Sequence, residues 1–450
     1  MRSDAMWEHI AGWVCSLFVL ANRKRGIGTG FQCVKTSEYI IFVHFAVPPL
    51  HSFVYHLRRG SQSVMRRMFS CLLLFCFPGQ IHAQTPPSSA QNADRVVALL
   101  KELTEAPGPP GYEEPVRKIM TDRMRAFTDK ISYDGLGSVI AQQGDAGPRI
   151  MLDAHMDELG GLVRHIRPDG FISMEMLGYW LDAALPDQRW VILGSKGPVL
   201  AVTDIWDAHI APHDAQGHAQ RQELFLDPGA RNAADVAALG ISPGDPVAPV
   251  SDFAVLANNR YLAKAWDDRV GCAVMLEVMR RLAKSPHPNQ VFYVGTVQEE
   301  GSIEMRGAAT SARIINPDLG FSLEVGIPND VPGPGPEAAQ EVLGGGPGMM
   351  LYTFSEIPNR KLVAYVKRVA ADQHIPLQFD FVRGFGDDAG AIKLNGSGVP
   401  VTTVLVPARS THAHNGIIDR GDFDGTVDLM VALIQSLDAA AVAGIRSFKP

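Results

Sequence analysis

The sequence predicts an α/β protein: a sheet with helices on both faces, made from two separated stretches of chain, with a small all-β unit inserted between them. Three observations carry this. Strand-like and helix-like runs alternate after Asp94 and again from Tyr261 to the carboxyl terminus, the pattern of an α/β sheet. Between about Phe171 and Val255 the text shifts to short β-like pieces, "WVILG", "GPVLAVT" and "LFLDPGA", separated by Gly/Pro turns. Histidines and carboxylates recur where apolar runs end, which in open α/β sheets is the edge where sites assemble.

In chain order, residues 1–64 mix apolar runs such as "YIIFVHFAVPPL" with basic clusters and show no clean helical or strand period. At Met65 the text becomes "MRRMFSCLLLFCFPGQIHAQ": Arg66 and Arg67 are a positive start, Phe69 to Phe77 a short apolar core, and Ala83 a small residue for cleavage. That is a secretory signal peptide pattern, and its core is too short for a comfortable membrane span. The expectation is that translation begins at Met65, that 1–64 are a mis-called extension, and that 65–83 are removed on export to the periplasm or beyond. A genuine amino-terminal membrane segment is the alternative. "TPPSSAQNA" makes 84–93 a polar linker.

The folded region opens at Asp94 with two helical patterns around a Pro/Gly turn, "TEAPGPPGYEEPVR". The catalytic domain is placed at 94–168 and 256–450, and the inserted β domain at 169–255. With 46% hydrophobic and 20% charged residues the composition is globular, and a net charge of −7 with no long basic run after the first hundred residues argues against a nucleic-acid partner. Four of the five cysteines (Cys15, Cys33, Cys71 and Cys76) precede residue 80, leaving Cys272. Without the amino-terminal part, neither an intramolecular disulfide nor a zinc–thiolate site is possible.

The metal-capable residues gather at predicted strand ends. "MLDAHMDELG" supplies His155 and Asp157, "KAWDDRVGC" Asp267 and Asp268, "VQEEGS" Glu299 and Glu300, "GFSLEVG" Glu324, and "VLVPARSTHAHNG" His412 and His414. Each alone has a bland reading: a structural histidine, or an Asp pair capping a helix. Five such placements on one sheet edge are harder to explain that way. The donors are nitrogen and oxygen, which suits zinc, manganese or cobalt. Two histidines and three carboxylates exceed what one catalytic zinc needs and suit two ions with a bridging carboxylate.

In order and wording, "DAHMDELG", "LFLDPGA", "LGISPGDPV", "KAWDDRVGC", "QEEGSIEMRGA" and "PARSTHAHN" resemble blocks of the dinuclear-metal aminopeptidases. That family includes glutamyl, deblocking and tetrahedral aminopeptidases, some of them labelled cellulase or endoglucanase. The resemblance spans about residues 94 to 440. It implies a phosphorylase/hydrolase-like α/β/α sandwich with an inserted small β-barrel, PDZ-like domain, and a homo-oligomer formed through that insert. It also implies two divalent ions per subunit, zinc foremost, with cobalt or manganese as alternatives. His155 and Glu324 would hold one ion, Glu300 and His412 the other, and Asp267 would bridge them. Asp157 would orient the His155 imidazole. Glu299 would be the general base of an enzyme that removes amino-terminal residues from peptides.

This accounts for the adjacent Glu299 and Glu300. One binds metal and its neighbour moves a proton, the two leaving an extended backbone in opposite directions, with Gly301 giving the turn. Two departures stand out: Glu324 occupies a position where the family usually has Asp, and Asp387 one where a hydroxyl residue is common. His209, His213 and His218 are read as a solvated loop. The other functions considered are a carboxypeptidase or glycan-directed hydrolase of the same fold, and a non-catalytic metal- or peptide-binding protein.

Overall fold

The structure is a computed structural model. It describes the backbone of residues 31–35, 39–44 and 54–58, and residues 94–204, 209, 221–301, 304–333, 335 and 337–449. The signal-peptide pattern, the linker at 84–93, His213 and His218 lie outside the described residues. The chain divides into two units, Met1–Thr85 and Pro86–Pro450. In the first, β1 (Phe31–Lys35), β2 (Tyr39–His44) and β3 (Val54–Arg58) form an antiparallel sheet in that order. The sequence showed no period there. Enrichment in aromatic and β-branched residues, as in "YIIFVH", marks these strands, and alternation does not.

The second unit begins where Asp94 caps its first helix, accepting a hydrogen bond from the Val96 amide at 2.8 Å. Helices α1 (Arg95–Glu105) and α2 (Glu114–Met124) lead into β4 (Ile131–Tyr133), β5 (Val139–Gln143) and β6 (Arg149–His155). Next come β7 (Gly160–Ile166), β8 (Ile172–Leu177), β9 (Arg189–Gly194), β10 (Gly197–Asp204), β11 (Phe225–Asp227), the short α3 (Ala233–Ala238) and β12 (Pro246–Pro249). The chain continues through β13 (Ala254–Val255), β14 (Arg260–Ala263), α4 (Trp266–Leu282), β15 (Gln290–Thr296), α5 (Arg306–Ile315) and β16 (Leu319–Gly326). It closes with β17 (Gly348–Tyr352), α6 (Arg360–Asp372), β18 (Gln378–Phe381), α7 (Ala389–Ile392), β19 (Val401–Arg409), β20 (Gly416–Asp419), α8 (Arg420–Ser436) and α9 (Ala439–Arg446).

The main sheet runs β13-β14-β20-β19-β16-β6-β15-β5-β4, with β17 and β18 attached through β19. Its centre, β19-β16-β6-β15, is parallel. These strands are buried almost end to end, as a sheet covered on both faces requires. Alternate residues separate the two faces. Ile150, Leu152, Phe321, Leu323, Val404 and Val406 join the large core with α1, α4 and α8. Met151, Val294 and Val401 face the smaller core of α5 and α7. Cys272 lies buried and unpaired in α4.

The insert is a closed barrel, β10-β11-β8-β7-β12-β9, around Ile172, Trp180, Trp190, Ile192, Leu226 and Val247. It runs from Gly160 to Pro249. It therefore takes in β7, which lies before the boundary read at 169, whereas β13 pairs in the main sheet. The shift has a simple cause: "GGLVRHI" follows directly on the His155 motif and continues its apolar text without a break. The parallel strands deliver their carboxyl ends to the side of the sheet where the barrel departs.

Candidate metal centre

His155 is the last residue of β6, Glu324 lies two residues from the end of β16, and His412 follows β19. Asp267 sits at the start of α4, before its regular turns begin. His155 Nε2 lies 2.9 Å from Asp267 Oδ1 and 3.2 Å from Glu324 Oε1. On the other side of the same carboxylate, His412 Nε2 lies 3.2 Å from Asp267 Oδ2 and 3.9 Å from Glu300 Oε1. Asp267 thus turns one oxygen to each of two groups, His155–Asp267–Glu324 and Asp267–Glu300–His412. The donor atoms of each group lie within 4.8 Å of one another. The structure brings together all five residues singled out as candidate ligands, in the pairing the resemblance implied.

The electrostatics of this cluster call for positive charge. Burial, with the Asp267 charge added, pushes Glu300 and Glu324 each up to about 8. Burial opposes charge on His412 too, yet Asp267 and Glu300 hold its imidazole up at about 10. His155 is held well above its usual range against the same burial by Asp157, Asp267 and Glu324. The bridging carboxylate, flanked by both imidazoles, is pulled below its usual range despite its burial. Glu300 Oε1 is buried with no hydrogen-bond partner. Carboxylates and imidazoles that retain protons only for one another's sake, with an oxygen to spare, fit divalent cations bound by nitrogen and oxygen donors.

The segment after β15 is fixed by two buried carboxylates. Asp157 accepts hydrogen bonds from the Glu299 amide at 3.1 Å and the Glu300 amide at 2.9 Å. Glu113 accepts from the Gln298 amide at 3.2 Å and from Gly111 at 2.6 Å. Three successive amides are therefore held. His155 Nδ1 lies 3.1 Å from the Asp157 main-chain oxygen and 3.6 Å from its carboxylate. Asp157 thus faces the imidazole with its main-chain oxygen and, at longer range, its carboxylate, and the carboxylate also steers the Glu299–Glu300 turn. The left-handed residue of this segment is Gln298, at φ 59°. Gly301 sits where an added Cβ would come within 2.9 Å of Pro110, so its role is close approach. Glu299 is buried, its carboxylate 4.0 Å from His155 Nε2, and burial raises its carboxyl well above the usual range.

The barrel also reaches the centre. Tyr179 turns its main-chain oxygen to His412 Nδ1 at 2.6 Å, which leaves Nε2 free to face Asp267. His414 does not join the candidate ligands. It is 2% exposed and packs against Trp180 and Trp190, with ring centroids 5.3 Å and 4.5 Å away, and burial lowers it to about 4. Of the loop histidines, His209 is described and is exposed.

Glu113 was missed by the sequence reading, and so was a buried ionic group beneath the centre. Glu158 pairs with Lys264 at 2.6 Å and accepts from the Gly108 amide at 3.0 Å. Arg269, fully buried, donates to the Leu103 and Ala106 carbonyls at 2.7 Å and 3.0 Å. The signal was available: opposite charges flank both the His155 and the Asp267 motifs, and charges carried into a core come paired.

Comparison with known proteins agrees with this geometry. Residues 137–429 match the M42 glutamyl aminopeptidase family. The chain is 31% identical to glutamyl aminopeptidase of Lactococcus lactis over 78% of its own length and 98% of the relative's. It is 30% identical to lysyl aminopeptidase of Pyrococcus furiosus over 75% and 96%. Among solved structures, a TET aminopeptidase from a marine sediment Thaumarchaeota archaeon superposes with TM-score 0.76 at 38% identity, covering 79% of this chain and all but 1% of that one (99%). The Pyrococcus horikoshii TET1 peptidase, described as assembling into a tetrahedron or a large octahedral shell, gives TM-score 0.70 at 26% identity over 76% and 100%. A closed barrel on a mixed α/β sheet, a cluster of candidate metal ligands at the carboxyl ends of its strands, and this span of similarity lead to one conclusion: the chain belongs to the M42 family of aminopeptidases, hydrolases of the peptide bond.

Proposed function

We propose that this protein is a two-metal aminopeptidase that releases residues one at a time from the amino terminus of peptides. The observation that carries the reading is Asp267, with one oxygen toward His155 and Glu324 and the other toward His412 and Glu300. In this reading these five residues hold two divalent ions, zinc first and cobalt or manganese as substitutes. Bound there, such ions supply Lewis acidity: they polarise a carbonyl and make water a nucleophile near neutral pH. Glu299 is the general base. Burial makes its carboxyl a strong proton acceptor once ionised, and Asp157 and Glu113 fix the backbone that carries it. Glu299 accepts the proton of the attacking water and passes it to the leaving amine. The free α-amine of the substrate stays beside the buried carboxylates of the centre, which confines cleavage to the first peptide bond.

The barrel at 160–249, placed beside the centre, supports a homo-oligomer whose active sites admit short or unfolded peptides. The shell-forming Pyrococcus horikoshii relative is the basis for this part of the reading. Export through residues 65–83 belongs to the same proposal. The test is hydrolysis of aminoacyl-p-nitroanilides, of short peptides with free and acetylated amino termini, and of carboxymethylcellulose. Each is assayed after chelation and after refilling with zinc, cobalt or manganese, with metal counted on the same sample. Stepwise release from free amino termini only, lost on chelation and restored near two ions per chain, is the expected result. Cleavage of acetylated peptides or of the polysaccharide would overturn it.

A further inference from the structure

A cavity of about 450 Å³ opens beside the metal centre, with His412 in its wall. Leu181, Ala184 and Gln188 of the barrel domain form one side, and Ile327 and Pro328, just beyond the Glu324 strand, form another. The rest of the lining is Ala408 and residues 410–415, and it adds one more histidine but no Asp, Glu, Lys or Arg. Charged side chains on the same segments are neutralised elsewhere. Asp182 is paired with Arg221 at 2.8 Å, and Arg409 with Asp330 at 2.7 Å.

From this lining we infer that the cavity receives the side chain of the substrate's amino-terminal residue and selects uncharged, mainly apolar ones. The inference rests on the aminopeptidase reading of the adjoining centre. The argument is one of desolvation. The position follows from the flanks: His412 stands in the cavity wall, and Ile327 and Pro328 follow directly on the strand that carries Glu324, so the cavity adjoins the candidate ligands on both sides. The cavity is within the range of small-ligand sites and ample for a leucyl, methionyl or phenylalanyl side chain. A lysyl side chain entering it loses water and meets no carboxylate in the wall, and a glutamyl one meets no Lys or Arg there, so either ion is penalised against an apolar side chain. Gln188 can offer a dipole, which suits neutral polar residues better than ions. The specificity inferred therefore differs from the glutamyl and lysyl activities for which two of its relatives are named.

The experiment is a panel of leucyl-, methionyl-, phenylalanyl-, lysyl- and glutamyl-p-nitroanilides on the metal-replete enzyme and on Gln188→Glu. Leucyl and methionyl substrates are expected to exceed lysyl and glutamyl ones in kcat/KM by a factor on the order of 100 or more. Gln188→Glu, which places one negative charge in the wall, should raise the lysyl-to-leucyl ratio by about tenfold while the metal content is unchanged. Robust turnover with lysine or glutamate preferred would overturn the pocket assignment and leave the aminopeptidase reading standing. An unchanged lysyl-to-leucyl ratio in Gln188→Glu would overturn it equally. Inactivity on the whole panel at full metal loading would overturn both.

Discussion

Two acidic clusters lie on the same face of the central sheet, and they are stabilised in different ways. The outer one, at the strand ends, mixes carboxylates with His155 and His412. The inner one lies one pleat deeper: Asp153 is two residues before His155 and Ser322 two before Glu324, with Thr403 beside Ser322 on β19. Asp387 and Asp388, just ahead of α7, and Glu356 complete it. Here there is no histidine. Hydroxyls serve as partners instead: Thr296 to Asp388 at 2.5 Å, Ser322 to Asp153 at 3.3 Å, and Thr403 to Asp387 and Glu356 at 2.7 Å and 2.9 Å. Thr403 has one hydrogen for two carboxyl neighbours, so at least one of them is satisfied best as an acid that donates in return. Burial raises Asp387 to about 6 and Glu356 to about 8. A buried carboxyl is neutralised either by a cation or by a proton. The donor set of the outer cluster fits cations, and the hydroxyl-partnered inner one fits protons.

The sharpest way to break the outer cluster is at Asp267. Removing the carboxylate that faces both groups in Asp267→Ala is expected to abolish activity together with most of the bound metal, read by elemental analysis of the purified variant. Its neighbour Asp268 points elsewhere. One of its oxygens accepts from the Gly271 amide at 2.9 Å, the cap of the regular part of α4. Asp268→Ala should keep measurable metal and activity while losing on the order of 1 kcal/mol of stability. Equal loss of metal in the two variants would contradict the division of roles.

If the proposed mechanism holds, Glu299→Gln separates proton transfer from metal holding inside the outer cluster. The amide keeps the shape, and Asp157 and Glu113 still hold the backbone. Turnover should fall by a factor on the order of 10² to 10⁴ with the metal content near that of the wild type. Full turnover in the metallated variant would remove Glu299 from the mechanism.

Much of the outer cluster was legible because its residues stand at the ends of apolar runs, where a charge has no core to enter and so announces a site. His155, Asp267, Glu299, Glu300, Glu324 and His412 were all found that way, and the α/β order with its β insert followed from the alternation of runs. The inner cluster was hidden by period. In "RIMLDAH" and "GFSLEVG" the polar residues fall at every second position of strands that otherwise read as continuously apolar. Asp153 and Ser322 therefore carry no distinguishing signal in the sequence, although they share the face that leads to the centre. Tyr179 was illegible for another reason. It acts through a main-chain oxygen, which any residue type supplies. The same holds for the main-chain oxygen of Asp157, which lies nearer the His155 imidazole than its carboxylate does.

The smallest expected effect tests the inner cluster by pH. Asp387 stands where the family commonly has a hydroxyl residue, so Asp387→Ser is a natural probe. A carboxyl whose folded pKa is raised binds more protons in the folded chain than in the unfolded one. Stability from such a group is fully present below the unfolded value, near 4, and is lost as pH rises through the folded value. For Asp387 that loss runs from near 4 and is complete by about 6, and for Glu356 it extends to about 8. The wild-type melting temperature should therefore decline between about pH 5 and about pH 8 from this source. In Asp387→Ser one proton-binding group is gone, and Thr403 can serve Glu356 alone. The decline should be shallower by a few degrees across that window, with activity at pH 7 within about threefold of the wild type. Metal counted at each pH isolates the effect, because loss of ions from the outer cluster would move the melting temperature in the acid range instead. Identical pH slopes for the two proteins at constant metal would show that Asp387 is neutralised by something other than a proton. The contrast between a cation-held and a proton-held cluster would then fail.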